Sequence, residues 1–342
     1  MIHIDIEPRI FHFKQPAGTS RGVYTERKSW MIHLQDDSMP GKIGIGECAP
    51  LPDLSCDAIA DYDKILRAMC DMYCIKGEIP YEALRPYPSM LFGLETAVMD
   101  LKAENHRIFD TPFSRGEKGI TINGLVWMGN YQEMLQRMQN KIDAGFHCIK
   151  IKIGAIDFEK EIELIKIIRE HFPKNVIEIR VDANGGFNMN DALQKMERLA
   201  KYDIHSIEQP IKQKQWKEMA SLCKSSTLDI ALDEELIGIN IPDMKREMLD
   251  TIQPKYVVIK PSLHGGMKGS KEWIDMAGER GIGSWITSAL ESNVGLNAVA
   301  QLCAYLYGDT ITMPQGLGTG QLFNDNIQMP IVMEGEKIWF KL

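Results

Sequence analysis

From Gly119 onward the chain repeats one unit: a short run rich in Ile and Val that ends on polar residues, then an amphipathic stretch of helical length. "GITINGLV", "CIKIKIG", "VIEIRVDAN", "HSIEQP", "LDIALDE", "YVVIKPS", "GSWITSA" and a last run near "TITMP" are the strands. Between them the spacing of apolar residues predicts helices over 131–144, 158–171, 190–201, 214–224, within 242–249, over 267–280 and over 295–307. Eight strands alternating with helices predict a parallel α/β barrel; a doubly wound open sheet has the same rhythm. Short strands of Ile and Val suit a sheet covered by helices.

The first hundred residues read differently. "HIDIEPRIFHF", "SWMIHLQ" and "GKIGIGECAP" predict an antiparallel sheet, followed by helices over 57–74 and 89–105. "KQPAGTSRGVYTERKSW" reads as a mobile loop between the first two strands. At the other end, "IQMPIVMEGEKIWFKL" predicts a hairpin around Gly335 that returns to the N-terminal sheet. The expected division is an α+β domain over 1–115, a barrel over 116–324 and a C-terminal hairpin over 325–342.

Several function classes fall away on composition. A formal net charge of −8 disfavours nucleic acid or a membrane surface as the main partner. No apolar run has the length of a membrane span, and "MIHIDIEPRI" lacks the basic and apolar regions of a signal peptide. Seven cysteines without metal-ligand spacing read as reduced residues of a cytoplasmic protein. The histidines are scattered, with no HExxH, and read as core or surface residues. "QGLGTG" lacks the ending of a phosphate loop and reads as a turn or a close approach of backbone to substrate.

The strand ends carry the chemistry, because a barrel's active site lies at their C-terminal side. In order they present Lys150 and Lys152, then Asp182, Glu208, Asp233 and Lys260. Alternation puts Ile149, Ile151, Ile177, Ile179 and Val181 against the helices and turns these charges inward. Three neighbouring carboxylates repel one another unless a hard cation gathers them, and an all-oxygen set suits Mg²⁺. A carboxylate substrate on that metal can lose its α-proton to a neutral lysine, with the metal stabilising the enediolate. Lys150 beside Lys152 is expected to depress its neighbour's pKa. Lys260 faces them as proton donor or charge stabiliser. Ser288 in "TSALES", Asn184 and Ser262 are substrate-binding candidates, equally readable as caps or loop residues.

With these motifs the chain resembles the enolase superfamily, in its muconate-lactonising subgroup. The resemblance rests on the KxK pair, "VDANGGF", "IEQP", "LDEEL" and "VIKPSLHGG". It implies a modified (β/α)7β TIM-like barrel with an α+β capping domain, and Mg²⁺ (with Mn²⁺ as a substitute) on Asp182, Glu208 and Asp233. Within the subgroup, "TSALESNVGL" and "QGLGTGQLF" are similar to o-succinylbenzoate synthases. That implies a hydro-lyase of menaquinone biosynthesis, dehydrating 2-succinyl-6-hydroxy-2,4-cyclohexadiene-1-carboxylate. Lys152 would be the acid and base of a syn elimination, Lys260 the opposing cation, and Lys150 the tuning neighbour. The resemblance also makes the first loop a lid, with Arg21 toward the succinyl carboxylate. Dipeptide epimerases carry an Asp-x-Asp where this chain has Gly316, Leu317, Gly318, Thr319 and Gly320. The alternatives are an N-acylamino acid racemase or dipeptide epimerase-type isomerase on the same scaffold, and a binding protein that has lost catalysis. The oligomeric state is left open.

Overall fold

The computed structural model describes residues 1–19, 22–154 and 156–342. Three strands open the chain: β1 (Ile2–Thr19), β2 (Gly22–Asp36) and β3 (Gly44–Cys48), an antiparallel sheet in that order. Three helices follow: α1 (Tyr62–Lys76), α2 (Tyr81–Leu84) and α3 (Pro88–Lys102). What reads as a loop between the first strands is instead mostly strand, since β1 and β2 pair out to Thr19 and Gly22. α3 lies against β3 so closely that a Cβ on Gly46 would stand 2.0 Å from the Gly93 carbonyl oxygen. This contact explains Gly46, and a Cβ on Gly44 would likewise stand 2.1 Å from the Ala97 carbonyl oxygen.

The barrel follows the predicted alternation. The elements of this half are β4 (Ile120–Thr121), β5 (Gly124–Val126), α4 (Tyr131–Asp143), β6 (Cys148–Lys152), α5 (Phe158–His171), β7 (Glu178–Asp182), α6 (Met189–Ala200) and β8 (Ser206–Glu208). Then come α7 (Trp216–Ser225), β9 (Ile230–Leu232), α8 (Pro242–Ile252), β10 (Tyr256–Ile259), α9 (Gly266–Gly278), β11 (Gly283–Ile286) and α10 (Asn293–Tyr307). β5 to β11 form one parallel sheet in chain order. Ile149, Ile151 and Ile153 are at most 1% exposed, under the helices. Each such side chain contributes about 1.5–3 kcal/mol through burial.

Closure differs from expectation. The run "TITMP" forms no strand. The eighth position is taken by Gln315 and Gly316, through isolated parallel bridges to Ile122 and Thr287. Gln315 donates its N–H to Thr121 and Gly316 donates to Ile286, so two residues join the sheet's two edges. Likewise "GITINGLV" is not one strand. It breaks at Ile122–Asn123 into β4 and β5, and only β5 belongs to the barrel sheet.

The hairpin around Gly335 is present as β12 (Ile331–Glu334) and β13 (Lys337–Phe340). Its partner is β4, not the N-terminal sheet. Trp339 packs where a Cβ on Gly119 would be 2.6 Å from its ring, which fixes the hairpin at the start of the barrel.

Buried charges join the capping layer to the barrel. Arg27 of β2, 1% exposed, donates to the carbonyls of Ala49, Pro50, Ala289 and Leu290. Glu47 of β3 accepts the N–H groups of Ser292 and Gly295, each at 3.0 Å, at the start of α10. Glu95 of α3 accepts the N–H groups of Met267 (2.5 Å) and Lys268 (3.1 Å) at the start of α9. Both carboxylates satisfy helix donors that have no partner within the helix.

Burial pushes the Glu95 carboxyl up to about 8 despite those bonds. The fold therefore favours its protonated form. The resulting stabilisation is complete below the ordinary carboxylate range and is lost as pH rises toward 8. The melting-temperature difference between the native protein and Glu95→Gln should change between about pH 4.5 and pH 8 and be flat outside that window. Thermal melts across pH check this; a difference independent of pH contradicts it.

Candidate active site

The charged strand ends converge because their strands are neighbours in register. Lys152 of β6 pairs with Asp182 of β7, and Asp182 with Glu208 of β8. Lys150 Nζ is 2.8 Å from Asp182 Oδ2 and 2.6 Å from Glu208 Oε2. Lys152 Nζ is 2.6 Å from the same Asp182 oxygen and 2.9 Å from Asn184 Oδ1. Lys260 Nζ, on the loop after β10, donates to Asp233 Oδ2. Asp182 and Asp233 are fully buried, and Glu208 is 2% exposed.

The titration pattern follows from this pairing. Burial raises the Asp182 carboxyl, but Lys150 and Lys152 outweigh it and hold its pKa well below the usual carboxylate range. Burial and the neighbouring Asp182 push Glu208 well above that range. Two adjacent acids are thus split, one firmly ionised and one resisting ionisation. Burial works against the Lys150 ammonium, yet Asp182, Glu208 and Asp233 prevail and raise its pKa. Lys260 is raised in the same way by Asp233, Glu234 and Glu208. In this arrangement the carboxylates dominate the surroundings of Lys150 and Lys260.

A fourth acid belongs to the group. Glu234 accepts a hydrogen bond from Asn184 Nδ2 at 2.9 Å and lines the same cavity as the three lysines. Strand alternation would turn it away from Asp233. However, the chain leaves β9 into a 3-10 turn over Glu234–Leu236, which brings it round to the site. The first Glu in "LDEEL", directly after Asp233, was the available signal.

Among the described residues no three His, Cys, Asp or Glu side chains already converge as a metal cage. Each of Asp182, Glu208 and Asp233 instead turns one oxygen to a lysine. The remaining oxygens are informative: Glu208 Oε1, Asp233 Oδ1 and Glu234 Oε2 are buried without a hydrogen-bond partner. An unsatisfied buried acceptor costs about 1–3 kcal/mol, more when charged. Hard carboxyl oxygens without a partner fit a hard dication that retains part of its water shell.

The cavity over these charges has an apolar roof and wall. Tyr24, Leu51 and Leu54 come from the capping layer, and Trp127, Trp285 and Leu290 from the barrel. Asn184 and Ser288 also line it, with Ser288 Oγ 2.6 Å from Thr319 Oγ1. Ser262 does not line the cavity: it is fully buried and donates to Glu291 Oε1 at 2.5 Å, supporting the loop. Arg21 lies outside the described residues. The aromatic lining and Thr319 were not singled out from sequence, since nothing local distinguishes them from core residues.

Residues 133–332 match the family described as Enolase C-terminal domain-like, and residues 19–101 match MenC, N-terminal domain. An o-succinylbenzoate synthase from Desulfotalea psychrophila is 43% identical, over 94% of this chain and 95% of its own length. The chain belongs to the o-succinylbenzoate synthase family of the enolase superfamily. The crystal structure of MenC from Desulfotalea psychrophila superposes with a TM-score of 0.82 at 38% identity, covering 99% of each chain. The L-Ala-D/L-Glu epimerase from Bacillus subtilis reaches a TM-score of 0.84 at 19% identity, covering 99% of this chain and 95% of its own. That second likeness is one of fold alone. The superfamily membership agrees with the barrel and the capping layer.

Lys150 is the group whose loss should be felt most in the folded state. Lys150→Met leaves Asp182 and Glu208 adjacent without their shared cation. Stability in chelator should fall by about 3–5 kcal/mol, the usual result of removing one partner from a buried ion pair. Urea unfolding measures this, and an unchanged midpoint would contradict the pairing.

Proposed function

We propose that this chain is a Mg²⁺-dependent o-succinylbenzoate synthase, dehydrating 2-succinyl-6-hydroxy-2,4-cyclohexadiene-1-carboxylate to 2-succinylbenzoate. The observation that carries this reading is the cavity itself: an apolar enclosure of Trp127, Trp285, Leu51 and Leu54 over a floor of Lys150, Lys152, Lys260 and Glu234. A carbocycle bearing a carboxylate fits that division. The 43% identical relative over nearly the full length supports the same activity.

Asp182, Glu208 and Asp233 would hold the cation. When bound, it supplies positive charge where the substrate carboxylate gains negative charge. The remaining work falls to the chain's own groups. Lys152 takes the proton from the carbon bearing the ring carboxylate. For that it must leave Asp182 and be neutral, which becomes easier once Asp182 shares its charge elsewhere and Lys150 remains alongside as a cation. Asn184 bonds Lys152 and Glu234 together and keeps Nζ aimed into the cavity. Lys152 then returns its proton to the departing hydroxyl, the carbon–oxygen bond breaks, and water and an aromatic ring result. Lys260 stays an ammonium on the opposite side and stabilises the charge in between. The capping residues exclude water from the ring face.

A second reading, racemisation of N-acylamino acids, is favoured by one feature. Lys152 and Lys260 line the cavity from β6 and from the loop after β10, so each face of an α-carbon has a base. Solvent deuterium entering the α-carbon of N-succinyl amino acids would reveal it.

Incubation with the cyclohexadiene carboxylate and Mg²⁺ should yield the aromatic product, and chelator should stop it. Lys152→Ala should lower kcat by about 10³-fold or more, as loss of a general acid–base group does. Dehydration by Lys152→Ala near the native rate would overturn this assignment.

A further inference from the structure

The loop after β10 carries a histidine that the chemistry above does not use. His264 is fully buried. Its Nδ1 lies 3.0 Å from the Lys260 backbone nitrogen and accepts that N–H. An imidazole whose Nδ1 accepts carries its proton on Nε2. That nitrogen has no hydrogen-bond partner, and it faces Asp233 Oδ1, which has none either, across 4.0 Å. Asp233's other oxygen receives Lys260 Nζ. Lys260, Asp233 and His264 thus form a ring that is closed at two contacts and open by about one ångström at the third.

The loop gives the imidazole little freedom. The N–H groups of Leu263 and His264 both donate to the Lys260 carbonyl at 2.9 Å, and Gly266 donates to Pro261 at 2.9 Å. Gly265 and Gly266 hold φ of 104° and 70°, where a side chain would be strained. A Cβ on Gly269 would stand 2.7 Å from the His264 carbonyl oxygen, so α9 packs directly on the loop.

We infer that His264 is a positioning residue of the proposed active site. Through Nδ1 it fixes the backbone of Lys260. Through Nε2–H it replaces Lys260 on Asp233 when the ammonium turns toward substrate. A ligand carboxylate that keeps a fixed outer partner keeps its orientation, and loss of such partners typically costs 10–100-fold in metal affinity. The inference rests on the proposed function for its purpose, though not for its geometry.

Two variants separate the contacts. His264→Asn keeps an acceptor near the position of Nδ1 and has nothing to reach Asp233. His264→Gln extends an amide donor toward Asp233. Long-range proton–nitrogen spectra of the ¹⁵N-labelled native chain, without metal, should show the Nε2–H tautomer for the resonance lost in both variants. Mg²⁺ calorimetry should show about 10–100-fold weaker binding for His264→Asn, with recovery in His264→Gln. Melting temperatures establish that both are folded. An Nδ1–H tautomer, or native Mg²⁺ affinity in folded His264→Asn, would overturn the role. Should the native chain bind no Mg²⁺, the functional reading fails, and the tautomer still decides the His264 geometry.

Discussion

Everything at the barrel mouth depends on one constraint: charges of both signs held out of water must nearly cancel. Asp182, Glu208, Asp233 and Glu234 face Lys150, Lys152 and Lys260 within a few ångströms. In low dielectric, neither set is tolerable alone. The lysines hold the carboxylates in place, and the carboxylates hold Lys150 and Lys260 as ammonium ions. This arrangement is stable and also poised, because a dication on the carboxylates alters what each lysine feels. One charge network thus both holds the mouth together and, in the proposed reaction, would set the protonation of its lysines.

The capping layer extends the constraint outward. Glu47 and Glu95 cap the first turns of α10 and α9, the helices that follow the loops carrying Ser288 and Lys260. Arg27 gathers carbonyls from both layers at Ala49, Pro50, Ala289 and Leu290. The strand ends therefore stand where they do because buried polar bonds from a separate sheet fix the loops behind them. The same layer supplies Tyr24, Leu51 and Leu54 to the cavity. Orientation of the loops at the barrel mouth and enclosure of the cavity have one source.

Much of this was legible because it is local. The Ile and Val runs and the helix periods revealed the alternation, and parity in "CIKIKIG" and "VIEIRVD" turned the right residues inward. What escaped depends on contacts distant in sequence or on departures from regular backbone. The eighth strand is two residues, Gln315 and Gly316, with no β-branched run to mark it. Glu234 joins the site only because a 3-10 turn breaks strand alternation. The C-terminal hairpin was visible, but its choice of β4 over the N-terminal sheet depends on packing of Trp339 over Gly119. Ser262 looked available to substrate until Glu291 supplied its partner. His264 looked like core, which it is, yet its two ring nitrogens face the Lys260 backbone N–H and Asp233.

The central claim is that these carboxylates are a cation site kept ready by lysines. Calorimetric titration of Mg²⁺ into the native chain and into Glu208→Gln tests it most directly. The account predicts one Mg²⁺ per native chain, with binding lost when Glu208 is neutralised. Unchanged Mg²⁺ binding in a folded Glu208→Gln would contradict it.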